Sequence, residues 1–519
     1  MVIASIINWM RQNPLIVLLF LIGAVVRCAA AGGIPPGLNQ DEASIGYEAY
    51  SILHEGVDRN GNFYPVHLIA WGSGQNALYA YLSMPFIFAF GLNVFSVRIV
   101  SLLFGLLGLI LFYSIAKALF QSERGAALAA FFIVINPWHI MMSRWALESN
   151  LFPTLALLAV WFVIKAAESS RSRWLYGFTI AMGMSLYAYG TAYFFVPLFA
   201  AAVYVLLLAK RLFTARAVFG QGVLLILLAV PIALFVLINR YDWPAISIGP
   251  ITIPKLTVPR VEEVSSVFSG GGLNRLLEHF NSFLQLLVSQ NDGLPWNVIP
   301  SFGMFYPLAL PLALLGIIPL VKQLASRFSL APAIIGVWLL VTAIMASMTD
   351  VNINRINIVF FPVIMLAAAG LLWLGNRVKG LVKAAVCVFA FLFAAFCSSY
   401  FTEFPDKISP SFYESFGEAI VYASAETDGA IYVTNAVNMP YIYVLFYEQI
   451  SPHEYRDTVV YSNPGAAFQQ VTSFGRYKFG TPAIADGENA AYIFHNSSVP
   501  DSDGLKVKVF KHYTVIVHP

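Results

Sequence analysis

Charge is what this chain has least of. Only 11% of its 519 residues are Asp, Glu, Lys or Arg, and 59% are hydrophobic; a soluble domain carries about 25% charged residues. With a mean hydropathy of +0.72, the composition excludes an ordinary soluble enzyme and predicts a polytopic membrane protein. The few charges nearly cancel, 30 basic against 27 acidic, and no basic run occurs, so nothing points to nucleic acid as a partner. Cysteine is almost missing, with Cys28, Cys387 and Cys397 alone. The last two would lie about 15 Å apart along one helix, too far for a disulfide. Neither a disulfide framework nor a cysteine metal cluster is available. The histidines lack the paired spacing of a zinc site, and no internal repeat is visible. Aromatic residues, by contrast, are abundant at 15%, which suits interfacial belts and greasy grooves.

Apolar runs of about twenty residues, enough to cross the hydrocarbon core, fall at 14–31, 96–119, 125–142, 151–168, 174–190, 192–209, 218–238, 302–321, 330–348, 356–375 and 382–400. The first has no small-residue cleavage site and reads as a retained span rather than a signal peptide. A further stretch, 76–91, is short, contains Pro85 and is crowded with Tyr and Phe. Charge asymmetry decides its place. Lys117/Arg124, Lys165/Arg171/Arg173, Lys210/Arg211/Arg216, Lys322/Arg327 and Arg377/Lys379/Lys383 mark every second connection. With Arg11, all share the cytoplasmic side only if 76–91 does not cross. The expectation is a polytopic α-helical membrane protein with about eleven spans and an interfacial or re-entrant helix at 76–91. Its N-terminus is cytoplasmic and its C-terminus outside.

On this topology residues 1–401 form the membrane domain, with long outer loops at 32–95 and 239–301. The first loop holds Asp41–Glu42, then Ile45, Ala49, Ile52 and Leu53 at a helical period. The second is rich in Pro and Gly (Pro244, Pro250, Pro254, Pro259, Gly270–Gly272), with a short helix near 273–288. Residues 402–519 alternate strand-like runs (430–434, 490–495, 507–510, 514–517) with helical ones (412–425, 439–449). They read as a C-terminal extracytoplasmic α/β domain.

The same topology brings Arg27, Asp41, Glu42, Arg98, Arg144, Glu148 and Arg355 to the outer face. Ionised groups beside hydrocarbon are costly, and outer arginines oppose the positive-inside trend, so each needs a reason. For Arg27 and Arg98 the ordinary reason is snorkelling or pairing with a carboxylate. Arg144 and Arg355 flank short turns with amide neighbours, where forked hydrogen bonds suit a phosphate; Arg98 is a further candidate. Arg144 and Glu148 are four apart and would share a helical face, so an ion pair competes with a catalytic part for Glu148. Asp41 as N-cap or Glu42 as a first-turn acid would serve the helix that follows, which leaves one carboxylate for chemistry. Trp71, His54, Tyr187 and Tyr189 are candidates for a substrate groove, each with an interfacial alternative.

Four segments carry a family resemblance: Asn39-Gln40-Asp41-Glu42-Ala43; Leu78–Phe120 with Val97-Arg98-Ile99 and Phe104-Gly105; Asn136-Pro137 with Ser143-Arg144 and Glu148; and Leu186-Tyr187-Ala188-Tyr189. Over residues 1–210, and loosely over 330–375 through Arg355, the chain resembles the GT-C membrane glycosyltransferases. Within them it is similar to glycosyltransferase family 39, the protein O-mannosyltransferases and lipid A aminoarabinose transferases. The resemblance implies transfer of a monosaccharide from a polyprenyl-phosphate donor to a hydroxyl of a lipid, protein or cell-wall polymer, outside the cell membrane. It implies Asp41 as catalytic base with Glu42 beside it, Arg144 at the donor phosphate, and Glu148 where the family often has Asp. Some GT-C enzymes use a divalent metal; Asp41 and Glu148 without a clear third ligand leave that open. The competing reading is an ion-coupled transporter or lipid flippase with Asp41 and Glu42 as ion ligands. Such proteins place ionisable residues near the midplane, often between inverted repeats.

Overall fold

The computed structural model describes residues 8–259, 272–326, 328–484 and 489–518; Arg327, Gly270 and Gly271, named above, lie outside them. The chain forms two compact units, each built from three stretches. The first comprises residues 1–29, 101–230 and 261–402; the second comprises 30–100, 231–260 and 403–519.

Among the described residues, eight helices are long and apolar enough to cross a membrane. They are Val94–Phe120, Glu148–Ser169, Ala192–Ala209, Ala215–Arg240, Ala309–Ser326, Leu330–Ser347, Ile353–Gly375 and Leu381–Thr402. The other three expected spans are helical but shorter: Pro14–Cys28, Trp174–Ser185, and a run divided into Glu123–Val134 and Pro137–Met142. The division has a local cause. Pro137 offers no N–H, and the Asn136 side chain accepts from the His139 N–H to restart the helix. These segments make the chain a multi-pass membrane protein. In the first unit, helices Ala309–Ser326 and Phe360–Gly375 touch backbone to backbone. A Cβ on Gly316 would lie 2.0 Å from the Leu366 carbonyl oxygen, and one on Gly370 1.8 Å from that of Leu312. Small residues permit such approach where lipid offers no hydrophobic drive.

The second unit contains helix Gln40–Glu55 and helix Leu78–Phe90. The latter has 13 residues, about 20 Å, short of the roughly 30 Å hydrocarbon core. Its largest sheet has seven strands: β1 (Ala430–Val433), β2 (Val460–Tyr461), β3 (Val471–Phe474), β4 (Tyr477–Phe479), β5 (Ala490–His495), β6 (Lys506–Val509) and β7 (Tyr513–His518), in the order β6-β7-β5-β1-β4-β3-β2. β1 runs parallel to β4 and β5, and the other pairs are antiparallel. β1, β5, β6 and β7 fall on the expected runs. β2, β3 and β4 are too short to show a pattern in the sequence.

This α/β region folds together with residues 30–100 and 231–259. Leu38 N donates to the Phe412 carbonyl at 2.6 Å and Val66 N to the Thr252 carbonyl at 3.0 Å. Helix Pro440–Glu448 lies against helix 40–55. A Cβ on Gly46 would stand 2.6 Å from the Phe446 ring and 2.7 Å from Val97, and the Tyr47 hydroxyl donates to the Ile450 carbonyl at 2.7 Å.

Candidate active site

The acidic pair opens helix 40–55, but neither acid is its N-cap. Asn39 is: its Oδ1 accepts from the Asp41 N–H at 3.0 Å, and the Asn39 N–H donates to Glu42 Oε2 at 3.1 Å. This reciprocal arrangement is a capping box, and it places Glu42 in a structural role. Glu42 is fully buried and holds Arg98 through two bonds of 2.7 Å, from Nε and Nη2. Arg98 donates further to the Pro35 carbonyl at 2.6 Å and that of Gly37 at 2.9 Å. The carboxylate partner expected for Arg98 is therefore Glu42. With its donors so engaged, Arg98 is ill placed to take a donor phosphate.

Asp41 is different. It keeps some surface, yet protein surrounds its carboxyl and pushes it up to about 6. Burial is the main cause and the Glu42 charge adds to it, while a hydrogen bond from the Trp71 side chain works the other way. Trp71, expected as an interfacial anchor, is buried and serves as a donor to this acid. An unanticipated group stands behind it. Arg59 is buried over the Trp71 ring, 4.8 Å from its centroid. Its Nε lies 3.0 Å from Glu48 Oε1, and its N–H donates to Glu48 Oε2 at 2.9 Å. His54 sits at the far end of helix 40–55, about 20 Å along from Asp41. It is exposed, with its ring 4.5 Å from that of Tyr50.

The first unit carries Arg144, Glu148 and Arg355. Helix Pro137–Met142 stops before Arg144, and Glu148 begins a separate 3-10 turn, Glu148–Asn150. The expected helical Arg144–Glu148 pairing is therefore not formed. Arg144 is fully buried. Its Nη1 donates to the Val26 and Arg27 carbonyls, both at 2.8 Å, its Nη2 to that of Ala29, and its Nε to the Tyr400 hydroxyl at 3.2 Å. Four donors are thus committed to the protein. Arg27 likewise is buried among the Gly23, Ile133 and Val134 carbonyls and His139; it neither snorkels nor meets a carboxylate.

Arg355 is held loosely. Asn352 caps its turn by accepting from the Arg355 N–H at 2.9 Å. The guanidinium reaches Asp350 only at 3.5 Å from the carboxylate and 3.3 Å from the carbonyl, and it is 23% exposed. Asn357 Nδ2 donates to the Ser149 carbonyl at 2.9 Å, which fastens this turn to the 148–150 turn. Tyr187 and Tyr189 are partly exposed, and the Tyr187 hydroxyl is committed to the Leu228 carbonyl at 2.8 Å. Among the described residues no group of three or more His, Cys, Asp or Glu side chains is arranged for a metal.

Residues 77–235 match the family described as dolichyl-phosphate-mannose-protein mannosyltransferase. A comparison with curated proteins gives no match. Among solved structures, ArnT from Cupriavidus metallidurans in the apo state aligns over 99% of this chain and 98% of its own, with a TM-score of 0.53 at 13% identity. ArnT bound to undecaprenyl phosphate gives 0.52 at 12% identity, over 98% of each chain. The Archaeoglobus fulgidus oligosaccharyltransferase in complex with Zn and sulfate gives 0.51 at 13% identity, over 83% of this chain and 61% of that one. At such identities the structural likeness is one of fold. The chain is thus similar in fold to ArnT along its length, and similar to the dolichyl-phosphate-mannose-protein mannosyltransferases in residues 77–235.

Proposed function

We propose that this protein transfers a monosaccharide from a polyprenyl-phosphate donor to an acceptor hydroxyl on the outer face of the membrane, with inversion. The observation that carries the reading is Asp41. It is a carboxyl freed from capping by Asn39 and Glu42, aimed by Trp71, and raised to about 6. Such a group is ionised near neutral pH and still basic enough to take a proton. The lipid donor is inferred by analogy with ArnT, which binds undecaprenyl phosphate.

Asp41 removes the acceptor O–H proton as that oxygen bonds to the anomeric carbon. The bond from that carbon to the phosphate oxygen breaks, and polyprenyl phosphate leaves. Arg355 is the donor-phosphate ligand, stabilising the charge that grows on the leaving group. Glu148, Tyr187 and Tyr189 are candidates for sugar contacts. Arg98, Arg144 and Glu42 are assigned to structure. The charge pattern of the connections supports a cytoplasmic N-terminus and an extracytoplasmic C-terminal region.

The test is transfer from a radiolabelled undecaprenyl-phosphate monosaccharide to acceptors in membrane extracts by Asp41→Asn protein. Turnover should fall about 10²- to 10⁴-fold with expression and folding unchanged. Near-normal turnover would remove Asp41 from the chemistry.

A further inference from the structure

Helix Gly272–Ser289 presents two unlike faces. Leu273, Leu277, Phe280, Leu284 and Val288 recur every three or four residues and are exposed. His279, Phe283 and Leu286 are buried. Arg275, Glu278 and Gln285 make the helix unsuited to crossing a bilayer, and an apolar stripe of this kind suits a membrane interface.

The buried face reaches Arg355. His279 Nε2 is 3.1 Å from Asp350 Oδ1, and its Nδ1, also buried, has no partner. Asp350 Oδ2 is 3.5 Å from Arg355 Nη1. A second tie follows just beyond the helix, where Asp292 Oδ2 accepts from the Ile353 N–H at 3.0 Å. One carboxylate is thus shared between a helix with an exposed apolar stripe and an arginine that is only partly engaged.

We propose that His279 and Asp350 are positioning residues coupling helix 272–289 to Arg355, and that the Asp350 carboxylate holds the place on Arg355 that a donor phosphate takes. This rests on the assignment of Arg355 to the donor phosphate. Asp350 is 44% exposed and Arg355 23%, so the contact between them is free to open. A phosphate offers the guanidinium shorter, forked bonds than the 3.5 Å contact it replaces. His279 draws Asp350 away from Arg355, so the two neighbours of this carboxylate act on phosphate affinity with opposite signs.

The test is binding of undecaprenyl phosphate to the full chain in lipid nanodiscs. Asp350→Asn keeps the shape and removes the competing charge, and should bind about twofold to fivefold more tightly. His279→Ala leaves the carboxylate wholly to Arg355 and should bind more weakly by a similar factor. His279→Gln keeps a donor and should restore wild-type binding, and His279→Ala should lose its effect in the Asp350→Asn background. A merely structural pair would weaken binding in both single variants. Weaker or unchanged binding in Asp350→Asn overturns the proposal; should His279→Ala not fold, Asp350→Asn and His279→Gln decide it alone. Arg355→Ala separates the two levels. Wild-type binding there removes Arg355 as phosphate ligand. Lost binding there, with wild-type behaviour of the Asp350 and His279 variants, removes the coupling only.

Discussion

The turn at Arg144 and the turn at Arg355 belong to the same unit, and in sequence they look alike: an arginine between helices with amide side chains nearby. In the structure one guanidinium is consumed by three backbone carbonyls and a tyrosine hydroxyl, while the other meets a single aspartate at long range. The acidic pair repeats the contrast. Glu42 is closed in by Asn39 and Arg98, whereas Asp41 is pushed towards neutrality by its surroundings. A buried charge whose hydrogen bonds are complete holds the fold. One whose bonds are incomplete is available to a ligand or a proton.

Arg144→Ala strands several buried acceptors and should cost about 3 kcal/mol or more. Arg355→Ala, which ends a half-exposed contact, should cost less than about 1 kcal/mol. Thermal unfolding in detergent reads both, and equal losses would end the distinction. At the acids, Glu42→Gln should destabilise by about 3 kcal/mol, because it leaves Arg98 buried without its counter-charge. Asp41→Asn should destabilise by nothing measurable at neutral pH. If Asp41→Asn is the less stable of the two, the roles are reversed.

At Asp41 the same contrast is read through pH. Burial pushes the Asp41 carboxyl up to about 6 in the folded protein, against an ordinary value of 3.8. Below the lower value it is protonated in both states and burial costs nothing. Above the upper value the folded state carries a buried charge, so the stability this group contributes is lost as pH rises through that window. Asp41→Asn should therefore match the wild type near pH 4 and exceed it near pH 8, in melting temperature. Turnover runs the other way: a base must be ionised, so the wild-type rate should climb with pH through about 6. A flat profile between pH 5 and 7 would contradict the assigned base.

Much of the fold was legible because it depends on period and hydropathy. The eleven apolar runs all appear as helices, and helix 40–55 and the longer strands of the C-terminal region follow their patterns. The cap on helix 40–55 had a readable sign as well, Asn39 with Glu42 three residues later, a capping box with Asn in the cap position. What could not be read was which charges are complete. The acceptors around Arg144 come from residues 26, 27, 29 and 400, and no local pattern announces them. Arg59, Glu48, His279 and Asp350 escaped for the same reason. Each acquires meaning only from a partner brought near by the fold, as His279 does from Asp350, 71 positions away.

Gly46 bears on how this protein can be divided. Where helix 40–55 passes helix 440–448, the missing side chain leaves a furrow that the Phe446 ring fills. The last 117 residues, 403–519, look by their position like a detachable appendix. Cutting the chain at 402 would empty that furrow, strip the Tyr47 hydroxyl of its acceptor at Ile450, and unroof the helix that begins at the proposed base. Shortened or chimeric versions of this protein must therefore keep the tail, or supply another ring for the same notch.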